Sequence, residues 1–439
     1  MTTNQKPNYT LPIIVMFFLF AMISFVTGFQ NPFGVILKEQ LGLSALQSQL
    51  GNAANFIAYA FMGLPAGMIL QKKGYKFSAI AAVLVGLVGV VFMFISSLLD
   101  GNDLIFCVYL AGAFIAGFSM CMLNTVVNPM LNTLGGGGKK GNQLLQFGGA
   151  TNSLAATICP VLVGYLMGGS LQGLTLVKAQ PALWVAMGIF ALALVVLLLS
   201  KLPEPILEEL RNAPKKQEKP SLSGALKFSH YVGGVIAIFL YVGIEVGIPS
   251  IANLYMTNDL HIDTALAGSL VGAYWFLMLI GRLVGGSLGN VLSPKMMLVI
   301  VSAVALVLLL GAIFLSPEIT VTVPFLDAEA PLNIFMLILC GLCTSVMWGG
   351  IFNLAVEGLG KYTAVASGFF MVMVCGGGIL PLIQGWVADL TGAYVVSYWV
   401  LFVATAYLLY YALIGSRVTK RDASAEVIKE EIKQGVMED

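Results

Sequence analysis

Long apolar runs separated by short polar breaks recur along the whole chain, each close to the roughly 20 residues that a helix needs to cross a bilayer core of about 30 Å. The pattern predicts helices near residues 11–37, 46–71, 76–98, 103–131, 142–168, 181–200, 229–256, 264–289, 294–316, 331–358, 363–388 and 392–416. Several exceed the minimum and are expected to tilt or to extend into water. The fold class this predicts is an all-α integral membrane protein with twelve transmembrane helices in two six-helix, pseudo-symmetric bundles. The longest polar connection, from Lys201 to about Lys227, holds Pro203, Pro205, Pro214 and Pro220 among mixed charges, which is the composition of a linker. It divides the chain into an N-terminal bundle at 1–200, a cytoplasmic linker at 201–228, a C-terminal bundle at 229–416 and a charged tail at 417–439. The halves echo one another: the run from Cys159 to Tyr165, with Pro160 and Gly164, recurs in register from Leu380 to Trp386, with Pro381 and Gly385. The turn from Gly67 to Lys76 has its partner in Gly281-Arg282 and the stretch from Gly285 to Lys295.

Charge placement supplies an independent test of the helix count, because Lys and Arg at span ends stay on the cytoplasmic side. With both termini inside, the cytoplasm receives Lys6, Lys72, Lys73, Lys76, Lys139, Lys140, the basic residues of the linker, Arg282, Lys295, Lys361 and those of the tail, whereas only Lys38 and Lys178 fall outside. One missed or extra helix in the middle would destroy that asymmetry. The first apolar run, from Leu11 to about Leu37, is too long for a signal-peptide core of about 7–15 residues and is expected to be an uncleaved span. The expected location is a bacterial inner (plasma) membrane, multi-pass.

Composition narrows the chemistry. The 439 residues are 58% hydrophobic and 10% charged, and mean hydropathy is +0.92, so most of the chain must live in lipid. A formal net charge of +1 makes no case for a nucleic-acid partner. The six cysteines lie in apolar runs, and Cys340 with Cys343, although spaced C-x-x-C, has no polar ligands around it. No metal and no cofactor are expected. There is no H-E-x-x-H and no G-x-S-x-G, and the run from Gly135 to Lys140 lacks both the Ser or Thr after the lysine and the preceding strand of a phosphate loop. The chain is therefore not expected to be an enzyme, and transport energy has to come from an ion gradient or from the solute's own gradient.

Polar residues at bilayer depth are costly unless they face a cavity or a partner, so they mark candidate substrate contacts. Asn124, Asn128 and Asn132 recur at four-residue spacing on one helix face. Gln143, Gln146, Thr151 and Asn152 follow in the next helix, Thr27, Gln30 and Asn31 lie in the first, Asn52 and Asn55 in the second, and Asn353 in the tenth. Amides offer donors and acceptors without charge, which suits a polyhydroxylated solute such as a sugar; interhelical hydrogen bonding is the competing explanation. Tyr274, Trp275 and Trp348 are placed to stack on a sugar ring or to close a cavity. Glu245 is the one carboxylate clearly inside a span, where a lone Glu costs about 2.5–3.5 kcal/mol on insertion scales unless it takes a proton or finds a partner. It is a candidate proton site or sugar partner.

Motifs spread over nearly the whole transmembrane region resemble the fucose permease branch (fucose–proton symporters) of the major facilitator superfamily. They are Phe17-Phe18-Leu19 with Pro32, the run from Leu64 to Met68, Leu123 to Pro129, Tyr241 to Glu245, Ile280-Gly281-Arg282, Gly358 to Thr363 and Gly376 to Pro381. The resemblance implies the major facilitator fold and uptake of a monosaccharide, often with protons, by alternating access. It also implies that Arg282, together with Lys72 and Lys73, belongs to a cytoplasmic gate. Two departures stand out: the family's acidic residue in helix 1 falls at Gly28, and its Glu in helix 4 falls at Asn124. The expected function is a symporter for a neutral monosaccharide or amino sugar, acting as a monomer in lipid, with H+ or Na+ as the coupling ion. Facilitated diffusion, an acidic-sugar or organic-anion carrier, and a transport-like sensor or membrane enzyme are the alternatives. The anion carrier is disfavoured because Arg282, the only arginine associated with a span, is expected at the inner end.

Overall fold

The apolar runs are helical in the computed structural model of the chain, which describes residues 9–43, 50–166, 175–205, 207, 221–262, 264–322 and 329–419. The first half holds α1 (Thr10–Leu41), α2 (Leu50–Ser96), α3 (Asn102–Leu134), α4 (Gly138–Leu166) and α5 (Gln180–Leu199). A short α6 (Leu222–Ala225) leads into the second half, with α7 (Ser229–Leu254), α8 (Thr264–Leu288) and α9 (Pro294–Phe314). It continues through α10 (Leu332–Thr344), α11 (Met347–Val356), α12 (Thr363–Val372), α13 (Gly376–Thr391) and α14 (Tyr398–Tyr410). Nine helical stretches among the described residues are long and apolar enough to cross a membrane. One of them, α2, crosses twice, and α1 and α4 complete twelve spans, with α10–α11 and α12–α13 each forming one span. Large apolar side chains such as Leu199 (81% exposed), Leu382 and Phe314 point outward, as lipid-facing residues must.

Spans 2 and 3 are expected as separate helices, and they run on as one, bent at a single residue. Gly74 has φ 81° and ψ −177°, a region that only glycine enters without strain. The bend frees the first N–H groups of span 3, and the Glu204 carboxylate accepts from Tyr75 N at 2.7 Å and Lys76 N at 2.8 Å. Lys76 Nζ in turn donates to the Leu198 and Ser200 carbonyls at the end of α5. Thus Glu204, expected within a loose linker, is a helix cap; residues 206 and 208–220 of the expected linker and 420–439 of the tail lie outside the described residues.

Two features were not expected. Span 10 breaks between α10 and α11, where Thr344 Oγ1 bonds back to the Cys340 carbonyl at 3.2 Å and Ser345 Oγ to that of Leu342 at 2.5 Å, a pattern that competes with the helical ladder. A small antiparallel hairpin, β1 (Thr320–Thr322) with β2 (Glu329–Pro331), pairs Thr320 with Pro331 between α9 and α10.

Because each half has an even number of spans, the start of α1, the linker and the end of α14 lie on one side, called the linker side. There the halves meet backbone to backbone: a Cβ on Gly67 of α2 would stand 2.9 Å from the Ala364 carbonyl and from Gly368 Cα of α12. Small residues permit that approach.

Candidate functional site

A cavity of about 210 Å³ lies between the halves, lined by α1, α2, α3 and α4 on one side and by α7, α8 and the α10–α11 break on the other. Of the residues singled out in the sequence, Asn55, Asn124, Gln146, Asn152, Glu245, Trp275, Arg282 and Trp348 line it. Asn152 Nδ2 donates to the Phe20 carbonyl at 2.9 Å, and its Oδ1 accepts from the Ser24 hydroxyl. Gln146 Nε2 donates to the Val346 carbonyl at the helix break, 2.9 Å away.

Others sit elsewhere. Asn128 lies behind the wall: it accepts from Trp348 Nε1 at 2.9 Å and donates to Asn124 Oδ1 at 3.2 Å. Tyr274 is buried against the backbone, its hydroxyl 3.2 Å from the Glu245 carbonyl and 3.0 Å from Thr344 Oγ1. Asn353 lies nearer the linker side, where Nδ2 donates to Asn132 Oδ1 at 2.5 Å and to the Gly138 carbonyl at 3.2 Å. The side chains of Gln30 and Asn31 lie outside the described residues. Lys72 and Lys73 are exposed; Lys73 Nζ stands over the ring of Phe77 on its own helix, and Lys76 makes the contacts that fasten this turn.

Arg282 departs most from expectation. It is not at the inner end but in the cavity, 9% exposed, with Nη2 3.4 Å from Glu245 Oε1. Nη1 donates to the Gly149 carbonyl at 2.8 Å and to Ser153 Oγ at 2.6 Å, and Nε to the Ser345 carbonyl at 3.3 Å. Nor is Glu245 a lone charge. Helix direction explains both: side chains lean toward the N-terminus of their helix. Arg282, six residues or about 9 Å from the linker-side end of α8, therefore reaches up into the cavity, while Glu245, on the oppositely directed α7, leans down to it. The guanidinium thus joins α4 of the first half to α7 and the α10–α11 break of the second.

Among the described residues, the hydrogen bonds between the halves run from the cavity to the linker-side ends. Below Arg282 come Gln146 with Val346, Trp348 with Asn128 and Asn353 with Asn132, and Lys139 Nζ donates to the Val291 carbonyl at 2.8 Å. These bonds seal the linker side. Asn55, one of the two polar residues singled out in the second span, is 2% exposed, and neither amide atom has a hydrogen-bond partner among the described residues; Tyr59, which the sequence pattern did not single out, lines the cavity beside it. The four-residue spacing of Asn55 to Tyr59, which puts both on one face of α2, was the available signal.

The chain is 27% identical over 430 residues to a glucose/galactose transporter of Brucella abortus, covering 94% of this chain and 96% of that one. It is 22% identical over 409 residues to the L-fucose-proton symporter of Escherichia coli, covering 89% of each. The fold matches a crystal structure of the transporter FucP in the outward conformation with a TM-score of 0.77 at 21% identity, over 93% of this chain and 100% of the other. The structure of the proton:xylose symporter XylE bound to 6-bromo-6-deoxy-D-glucose matches with a TM-score of 0.72 at 12% identity, over 95% of this chain and 98% of the other. Residues 16–381 match the family profile of the Major Facilitator Superfamily, and the chain belongs to that family.

Proposed function

We propose that the protein is a secondary active transporter that takes up a neutral monosaccharide of the hexose or deoxyhexose class together with a proton. The observation that carries this reading is the charge balance of the cavity. Among the described residues its one cation, Arg282, and its one anion, Glu245, face each other, so an uncharged solute meets no unpaired charge there. What remains are amides, hydroxyls and the Trp275 and Trp348 rings, which suit a ring of hydroxyl groups with apolar faces. The same balance argues against an acidic sugar, whose carboxylate would have to displace Glu245 from Arg282. The names of the relatives, glucose/galactose transporter and L-fucose-proton symporter, agree with this substrate class.

In this proposal 1–200 and 229–416 are the moving halves, joined by 201–228, with the tail at 417–439. The linker side faces the cytoplasm of a bacterial cell, since it carries Lys72, Lys73, Lys76, Lys139, Lys140, Lys201 and Lys361. Glu245 carries the proton. Protonation removes the anionic partner of Arg282, weakens the hold on α7 and frees the cavity floor to rearrange. Liposomes containing the purified protein test this with labelled D-glucose, D-galactose and L-fucose, with and without an imposed pH gradient. The expected result is accumulation of at least one sugar that depends on the gradient. Glu245→Gln keeps the shape and loses the titration, and is expected to exchange sugar without accumulating it. Wild-type uptake indifferent to the pH gradient would overturn the proton assignment, and no uptake of any neutral sugar would overturn the substrate class.

A further inference from the structure

Asn55 is a polar side chain for which the fold provides no use. It lines the cavity from α2, almost wholly buried, with Oδ1 and Nδ2 both unpartnered among the described residues. The other lining amides are held: Asn124 by Tyr59 and Asn128, Gln146 by the Val346 carbonyl, Asn152 by Phe20 and Ser24. A buried amide without partners destabilises the protein, whereas a leucine of similar size in the same place would not. Nor does the helix have slack to turn the amide away, because Gly117 of α3 packs so closely that a Cβ there would stand 2.9 Å from Asn55 Cα. One turn along the same face, the Tyr59 hydroxyl accepts from Asn124 Nδ2 at 2.7 Å, and its own proton meets no acceptor among the described residues.

We propose that Asn55 and Tyr59 form a subsite for two adjacent hydroxyls of the sugar and determine which sugars are carried. Asn55 Oδ1 accepts from one hydroxyl, Nδ2 donates to its neighbour, and the Tyr59 proton goes to whichever oxygen has a free lone pair. An amide matches such a pair because its donor and acceptor lie side by side in one plane. The subsite does not stand alone. Tyr59 continues through Asn124 and Asn128 to Trp348 Nε1 at 2.9 Å, so a sugar held on α2 pulls on a hydrogen-bond chain that ends in the other half.

This inference rests on the sugar reading above, and equilibrium binding to the purified, full-length protein separates the two. D-Glucose, D-galactose and L-fucose are measured first, then every singly deoxygenated analogue of the tightest. Asn55→Ala is expected to weaken the parent sugar about tenfold or more. One analogue, lacking a hydroxyl that Asn55 pairs, should be bound as well by the variant as by the wild type. Tyr59→Phe, which removes one oxygen and keeps the ring, is expected to show the same selective insensitivity toward a hydroxyl at the same or the adjacent carbon. If Asn55→Ala binds the parent as tightly as the wild type, or loses the parent and all analogues alike while Tyr59→Phe is indifferent to every deletion, the subsite is overturned and the sugar reading stands. If the wild type binds none of the sugars, both fall.

Discussion

Arg282 shows how far a single side chain can depart from the position of its Cα. Its bonds to Gly149, Ser153, Ser345 and Glu245 tie together three elements in a largely buried site. Removing one partner of such a pair leaves the other charge uncompensated. Arg282→Ala is therefore expected to lower stability by about 3 kcal/mol, at the low end for a buried pair because the cavity admits solvent. Adding Glu245→Gln should recover part of that loss, since the stranded charge is then gone. Thermal unfolding in detergent measures both, and a double variant no more stable than Arg282→Ala would mean that the carboxylate is not what the guanidinium holds. The residue types of the site were legible, because Glu245 and the amides have no reason to lie at bilayer depth without a partner. Their faces and levels were less so. Asn124, Asn128 and Asn132 share one face as their spacing says, yet each four-residue step descends about 6 Å. The first meets the cavity, the second Trp348 and the third Asn353. Spacing gives the face of a helix, and what stands opposite at each depth depends on another chain segment.

Among the elements, hydropathy located every span to within a few residues but not the joints. The α10–α11 break depends on Thr344 and Ser345 turning back on their own helix, and its consequence is that the Ser345 and Val346 carbonyls receive Arg282 and Gln146. Nothing in an apolar run announces that. The glycine seam between α2 and α12 was equally silent, since Gly63, Gly67 and Gly368 gain meaning only when they meet. Gly368→Leu is expected to wedge the seam, because its Cβ alone would fall 2.7 Å from Gly67 Cα. Spin labels at Lys140 and Lys361, on the linker side of different halves, should then move apart in distance measurements. An unchanged distance with the fold intact would mean that the halves do not rely on this contact.

For the molecule as a whole, the overall plan was the most legible part, because lipid imposes one rule on every span and the charged residues record which side each turn faces. The orientation itself has a direct check in a background with Cys107, the exposed native cysteine, changed to Ser. A cysteine at Lys201 is expected to be shielded from an impermeant thiol reagent in intact cells, whereas one at Glu318, in the loop before the hairpin, is expected to be labelled. The reverse result would invert the molecule in the membrane.

The seal along the linker side has a kinetic consequence. If the empty carrier rests in this closed arrangement, its binding site is offered mainly to the opposite compartment, and the apparent dissociation constant on either side is the intrinsic one divided by the fraction of molecules open to that side. Influx should then half-saturate at a lower sugar concentration than efflux. In the absence of an ion gradient its maximum velocity should be lower in the same proportion, because a passive carrier cannot move the equilibrium. Such rectification belongs to the resting distribution of the two halves and not to the cavity, so the Gly368→Leu wedge should diminish or reverse it while leaving the preference among sugars as it was.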